Sequence, residues 1–530
     1  MRTSQTHPLK IDELPIPGIS GLIGMTLCPG KRGESIYGEP WLRDLEEDLA
    51  IIREWQPAVV MTLMEAHEFP PLGIREFPLA MRNESFQWLM LPIRDMEIPE
   101  AGFERQWDHV RDHLHALLRT GKRILLHCRG GLGRTGTVAA RILVEFGVEP
   151  KEAVHRVRAA RPGTIETAGQ ERHVMNYRPH PQRRSRSHYA GCLLGGAVGD
   201  ALGWPVEFAS IEEIRSQYGP DGIKNPVANC MGLFEITDDT QMTLFTAEGM
   251  LQAGTRTSER GIGPSFASCA HYAYQRWLAT QGELQANEIP ADGWLMTVQG
   301  LHQRRAPGNT CLSALSCEDR GSMEAPLNDS KGCGAVMRMA PVGLFLQSPY
   351  VCGFLTREQR DEYTFRTGCE LGALTHGHPS GYLSAGCLAF LVARIIDGDS
   401  LDVALDKAEK LLATYPSHEE TLEAMRAARQ LASDKSLVPS PEVVAQLGEG
   451  WVGEEALSIG IYCALIAKDD FAFGVRLAVN HGGDSDSTGA ITGNILGALL
   501  GVEAIPSDWI EQIELRDVIE ILSNDLLTSL

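Results

Sequence analysis

The 12 cysteines include no Cys-x-x-Cys pair, and their spacings form no even framework. Structural zinc of the ribbon or finger kind is therefore excluded, and thiols scattered in this way suit a reducing, intracellular setting. No apolar run reaches the ~18 residues that cross a bilayer. The best run, about residues 456–467, reads as a buried helix. The first nine residues lack a signal-peptide core, so a cytoplasmic protein with no membrane partner is expected. Positive charge is scarce: 48 Lys and Arg against 69 Asp and Glu leave a net charge of −21, which argues against general nucleic-acid binding. Internal repeats are absent as well. What the chain does have is length, 530 residues with 43% hydrophobic side chains, enough to fill two cores or more.

From residue 21 to about 178, short apolar runs alternate with amphipathic patterns, which predicts an α/β domain. Leu42, Leu45, Leu49 and Ile52 fall at helical spacing, 58–64 and 86–93 read as strands, 103–118 as a helix and 123–127 as a buried strand. The stretch Arg-Pro-His-Pro-Gln-Arg-Arg-Ser-Arg-Ser, 178–187, has two prolines, four arginines and no large apolar residue. It reads as a boundary, with domains 1–178 and 188–530 joined by a solvated tether over 179–187. Beyond it, helix follows helix, including 379–396, 400–414, 418–432 and 454–468, with only 221–236 irregular or extended. An all-α domain is expected there.

The strand at 123–127 delivers His127-Cys128-Arg129-Gly130-Gly131-Leu132-Gly133-Arg134-Thr135-Gly136. Glycines let successive amides of Arg129, Gly130, Gly131, Leu132 and Gly133 turn inward, the next helix adds its positive end, and Arg134 offers a fork to two phosphate oxygens. The same field favours a Cys128 thiolate, so Cys128 is the expected nucleophile, Arg134 the transition-state clamp and Thr135 a hydroxyl for the leaving thiolate. Asp95, just past a strand end, is the expected general acid, with Glu97 second. An inert buried cysteine, or a sulfur-transfer loop of rhodanese type, accounts less well for the arginine offset and the upstream aspartate. With these residues the segment resembles a cysteine-dependent dual-specificity phosphatase of the kinase-associated type, over nearly all of 20–178. The resemblance extends to 164–170 and implies that Gln170 helps place the hydrolytic water.

Two acidic clusters stand 245 residues apart, Thr237-Asp238-Asp239-Thr240 and Asp484-Ser485-Asp486-Ser487, each leading into a helical pattern, the second at 490–500. Taken singly, each reads more readily as a helix cap. Brought face to face, their four carboxylates would repel and raise one another's pKa values unless a pair of divalent ions sat between them. Hard oxygen donors suit magnesium, with manganese possible. Upstream, the small-residue helix from Tyr189 carries Asp200, read as structural, and ends near Glu207, the better functional candidate. His376 and His378, beside Pro379, read as structural or substrate-contacting rather than as a transition-metal site.

Gly199-Asp200-Ala201-Leu202-Gly203 with Glu207, the two acidic clusters, Pro307-Gly308-Asn309-Thr310, 331–338 and Thr375-His376-Gly377-His378 together resemble the ADP-ribosylglycohydrolase family, in order, across 188–502. The resemblance implies a binuclear magnesium site with Thr237, Asp238 and Asp239 on one ion, Asp484 and Ser487 on the other, and Asp486 bridging. Glu207 would stand at its gate. Ile236, Ser485, Ser487 and Cys333 depart from the usual Trp, Thr, Thr and Asn. The expectation is a bifunctional hydrolase whose partners are an ADP-ribosylated or related ribosyl substrate and a phosphorylated protein or small molecule. Two other readings stand beside it: a non-catalytic phosphate-binding targeting domain, and two sites acting in turn on one phosphorylated ribosyl compound.

Overall fold

In the computed structural model, which describes residues 1–34, 38–177, 183–260, 265–284, 293–347, 355 and 357–528, the chain divides into two compact units, Met1–Pro179 and His180–Leu530. The first is α/β and the second helical.

The first unit is built on a five-stranded sheet of β1 (Asp12–Pro15), β2 (Leu22–Leu27), β3 (Val59–Thr62), β4 (Gln87–Met90) and β5 (Arg123–Cys128), in the order β1-β2-β5-β3-β4. Only β1 runs antiparallel to its neighbour. The central strand, RILLHC, is buried along nearly its whole length, as a parallel strand covered on both faces must be. Helices α1 (Leu45–Trp55), α2 (Ala101–Arg119), α3 (Gly133–Glu145), α4 (Pro150–Ala160) and α5 (Ala168–Asn176) complete the unit. The pairings Leu27↔Cys128 and Thr62↔His127 put Cys128 at the carboxyl ends of the parallel strands, where open α/β sheets bind ligands. The irregular N-terminus of the sequence reading holds a second, small sheet. Its strand order is Arg2–Thr3, Trp41–Leu42, Arg32–Gly33, and Leu42 therefore lies in a strand rather than on the helix that starts at Leu45.

The second unit is centred on two helices from opposite ends of its sequence, α6 (Arg186–Gly203) and α10 (Ser485–Leu500), with α7 (Asp238–Arg260), α8 (Pro379–Ile396) and α9 (Gly453–Ala467) among the helices between them. Helices α6 and α10 lie against each other at backbone contact. A Cβ on Gly191 would come within 2.6 Å of the Gly497 carbonyl, and the same conflict recurs for Gly195 with Gly493, Gly199 with Gly489 and Gly203 with Ser485. The four-residue spacing keeps these glycines on one stripe of each helix. Gly493→Ala is expected to destabilise this unit by about 2 kcal/mol or more, because the opposing atoms are backbone and cannot rotate away; a denaturation midpoint unchanged from the parent's would refute the close-contact argument.

Two expectations are corrected. Residues 179–182 lie outside the described residues, but 183–187 are not a solvated tether. The Arg183 amide donates to the Ile396 carbonyl at 3.1 Å, its guanidinium to Ile395 and Asp399 carbonyls at 3.1 and 2.9 Å, and Arg184 to the Gln347 carbonyl at 2.7 Å. Ser185 caps α6, whose first residue is Arg186. These arginines satisfy the orphan carbonyls that helix ends leave behind. Secondly, α8 is long and apolar enough by length and composition to cross a membrane, although Gly, Ser and Arg394 interrupt it as a run; 94% of that stretch is buried inside the unit.

Candidate active sites

In the first unit, Cys128 ends β5 and the chain turns through Gly131, whose φ of +71° and approach to the backbone of Thr26 exclude a side chain. The Gly131 amide donates to Cys128 Sγ at 3.2 Å. Arg161, from the end of α4, pulls the loop carbonyls outward: Nε donates to Gly131 O at 2.7 Å, Nη2 to Gly130 O at 3.2 Å, and Nη1 pairs with Asp12 at 2.6 Å. With the carbonyls held on that side, the amides are left for an anion. Leu132 lies half-buried in the loop and Gly133 opens α3, its amide donating to Glu166 Oε2 at 2.7 Å. Arg129 is exposed.

Arg134 is buried and held as a fork by Glu68, with Nη1 and Nη2 donating at 2.6 and 2.9 Å, while Asp95 meets Nη2 at 2.9 Å. Burial alone would raise the Glu68 pKa, but the Arg134 fork more than offsets it and holds the carboxyl below its ordinary range. Arg134 Nε and the Thr135 hydroxyl are buried without partners, one donor for a phosphate oxygen and one for the thiolate. The structure thus brings together Cys128, Arg134, Thr135 and Asp95. Gln170 is placed differently. Its Oε1 accepts from the amides of Glu166 and Thr167 and its Nε2 donates to the Glu97 carbonyl, so it is committed to the capping box of α5. Glu68 and Arg161 escaped the sequence reading; neither is within the contiguous motif, and only the Arg161-Pro162-Gly163 turn beyond a helix offered a signal.

In the second unit, Asp200 projects from α6 and caps α7, accepting from the amides of Thr237 at 3.0 Å and Thr240 at 3.2 Å and from the Thr240 hydroxyl. Its structural reading holds, and burial raises its pKa to about 6. Asp484 is the N-cap of α10, which begins at Ser485 rather than 490, so Asp486 lies in the first turn. Asp238, Asp239, Asp484, Asp486, Ser487 and Glu207 all line one cavity of 330 Å³. Thr237 is buried behind that wall, its hydroxyl accepting from the Asp239 amide at 3.2 Å.

Burial first, then mutual repulsion, raises the pKa values of Asp238, Asp239 and Asp486 well above the carboxylate range, and Glu207 is pushed up to about 8. Asp239 Oδ2 and Glu207 Oε2 are buried with no partner. Other oxygens have turned onto local donors: Asp238 onto the Gly308 amide at 3.2 Å, Asp486 onto the Ser487 amide at 3.0 Å, Asp484 onto the Cys333 thiol at 2.7 Å. Among the described residues no three His, Cys, Asp or Glu side chains already converge on one ion position. The hard donor set, the orphaned oxygens and the uncompensated charge nonetheless fit divalent ions. Cys333 takes the position read as a departure from Asn, and its sulfur occupies an Asp484 oxygen. His376, on the cavity wall, bonds Thr375 Oγ1 at 2.9 Å, whereas His378 caps α8 by accepting from the Ser380 amide at 3.1 Å.

At the mouth, Phe208 stacks on Trp451 with centroids 5.0 Å apart. Phe208 is 72% exposed and has a φ of +66°, a costly conformation for an aromatic residue directly after Glu207.

Residues 180–530 match the family model described as ADP-ribosylglycohydrolase. The chain belongs to the ADP-ribosylglycohydrolase family. It is a hydrolase by that membership, and its N-terminal residues 56–174 match a second model, Swiss Army Knife protein, DSP-PTPase phosphatase domain. The chain is therefore a fusion of the two domain types. Among relatives of this glycohydrolase, the ADP-ribosyl-[dinitrogen reductase] glycohydrolase of Rhodospirillum rubrum is 26% identical over 337 residues, 62% of this chain and 90% of the relative. The ADP-ribosylarginine hydrolase Tri1 of Serratia proteamaculans is 25% identical over 362 residues, 65% and 80%. An uncharacterized Archaeoglobus fulgidus protein is 29% identical over 342 residues, 64% and 95%. Similar solved structures are an ADP-ribosylglycohydrolase-related protein (TM-score 0.41, 23% identity, covering 65% of this chain and 98% of that one) and kinase-associated phosphatase (TM-score 0.29, 20% identity, 32% and 92%).

Proposed function

We propose that the chain is a bifunctional hydrolase, splitting a phosphomonoester through a phosphocysteine and an ADP-ribosyl or related ribosyl glycosidic bond with magnesium. The observation that carries the second reaction is the buried cluster of four aspartates on one cavity, with the Asp239 Oδ2 and Glu207 Oε2 oxygens left without partners. Thr237, Asp238, Asp239, Asp484, Asp486 and Ser487 would hold the ions. The ions supply Lewis-acid stabilisation of charge at ribose hydroxyls and of a water. Glu207, whose buried Oε2 has no partner at the cavity, would exchange a proton at that water, and the cavity walls would orient the ribose for attack on its anomeric carbon.

In the phosphatase site, Cys128 sulfur attacks phosphorus as the bond to the leaving oxygen breaks, and Asp95 gives that oxygen its proton. Arg134 Nε and the loop amides take the growing equatorial charge. Water then displaces sulfur, returning the thiolate and leaving its proton on Asp95. The complete set of groups favours catalysis over a binding-only module.

The test is release of free ADP-ribose from conjugates on arginine, serine and nucleic acid, with magnesium or chelator, in the parent and in Asp486→Ala. Release that needs magnesium and disappears in the variant is expected. Release insensitive to both would refute the assignment.

A further inference from the structure

Residues 1–55 precede the stretch matched by the phosphatase model, yet the residue just before strand Arg32–Gly33 of the small N-terminal sheet reaches the phosphate loop. Lys31 Nζ donates to the carbonyl of Arg129 at 3.2 Å, the residue next to Cys128. Its ammonium also lies 4.9 Å from the centre of the Trp41 ring, a cation–π seat that fixes a flexible chain. Trp41 is itself held among cations, with Arg2 at 4.9 Å and Arg43 at 5.6 Å. Arg43 is neutralised by two buried hydrogen bonds to the Asp48 carboxylate, each 2.7 Å. Among the described residues no carboxylate is paired with Lys31, and the charged groups acting most strongly on it are Cys28, Cys128, Arg129 and Arg43. Burial lowers its pKa to about 8, which the two thiols only partly offset.

Acids meet the cradle elsewhere, Asp95 and Glu68 on Arg134 and Glu166 on the Gly133 amide. A substrate bearing a single phosphate has no use for the Lys31 ammonium once its phosphoryl group is in the loop. A substrate bearing a second anionic group a few bonds away does.

We propose that Lys31, with Arg129, forms a second anion subsite, and that the phosphatase site selects phosphomonoesters carrying another phosphate close to the one hydrolysed. This rests on the loop being a phosphate cradle, and the test separates the two claims. In a Cys128→Ser background, calorimetry compares binding of phenyl phosphate and of 1,2-phenylene bisphosphate at one ionic strength. The bisphosphate is expected to bind about 10-fold tighter or more, the gain of one charge-assisted contact. Adding Lys31→Met should cost the bisphosphate far more affinity than the monophosphate and erase the preference, whereas Lys31→Arg, which keeps the charge and the ring contact, should retain it. Equal binding of the two ligands, binding of neither, or a preference that survives Lys31→Met overturns the subsite. If the preference behaves as expected while the Cys128 parent releases no phosphate from either compound, the subsite stands and the hydrolytic reading of this domain falls.

Discussion

Cys128→Ser is expected to lower phosphate release from p-nitrophenyl phosphate by about 10⁴-fold or more, the scale on which loss of a nucleophile disables an enzyme, with magnesium-dependent release of ADP-ribose unchanged. The Gly131 amide lies 3.2 Å from the sulfur, and the unpartnered Thr135 hydroxyl is buried at the start of α3. A serine hydroxyl keeps the shape of the site but is a far weaker nucleophile than sulfur. Asp95→Asn divides the chemistry further. With p-nitrophenol, a leaving group that needs no proton, the loss should be small; with an alkyl phosphate it should reach about 10²-fold or more. Phosphate release that survives in Cys128→Ser would remove the phosphocysteine from the mechanism.

Asp239→Asn is expected to abolish ADP-ribose release, by about 10³-fold or more, as removal of a charge-stabilising group does, and yet to raise the melting temperature of the metal-free protein. The reason is the buried, unpartnered Asp239 Oδ2 among Asp238, Asp200 and Asp484. A neutral amide relieves a repulsion that nothing in the metal-free site compensates. The pH dependence has the same origin. Burial and neighbouring carboxylates put the folded-state pKa values above the unfolded value of about 4, so the folded form binds more protons. Stability is then fully present below pH ~4 and is lost as pH rises through the folded values, about 6 for Asp200 and about 8 for Glu207. In chelator the melting temperature should therefore fall from pH 5 to 8, and magnesium should flatten that slope. A parent protein whose melting ignores both pH and magnesium would show that the cluster is not an ion site.

The two catalytic motifs were legible because each is contiguous: Cys128 to Thr135 and Asp484 to Ser487 carry their spacing within one turn of chain. Their supports were not. Glu68 reaches Arg134 from a short helical turn 66 positions upstream, and Arg161 grips the loop from 30 positions downstream. No local pattern announces either, because what selects them is the carbonyl or guanidinium they meet after folding. Arg183 and Arg184 were misread for a related reason. Arginines among prolines have the composition of a tether, and only the helix ends near Gln347 and Ile395 show that they terminate other elements. Thr237 meets the Asp239 amide through its hydroxyl at the start of α7, a local contact that leaves the oxygen a lone pair for an ion. The small residues of α6 did announce a helix lying deep in its unit, but not that its partner would be α10.

That partnership governs when the second activity can arise during synthesis. Helix α6 emerges from the ribosome at the start of its unit and α10 only near the end, almost 300 residues later. Until then the glycine stripe on α6 has nothing to lie against, and Asp484 and Asp486 do not yet exist to face Asp238 and Asp239. The phosphatase unit, whose sheet is complete at Cys128, meets no such delay. A chain stalled or cut before residue 484 would carry a finished phosphate loop and a glycohydrolase unit that has half of its acidic site and an uncovered helix.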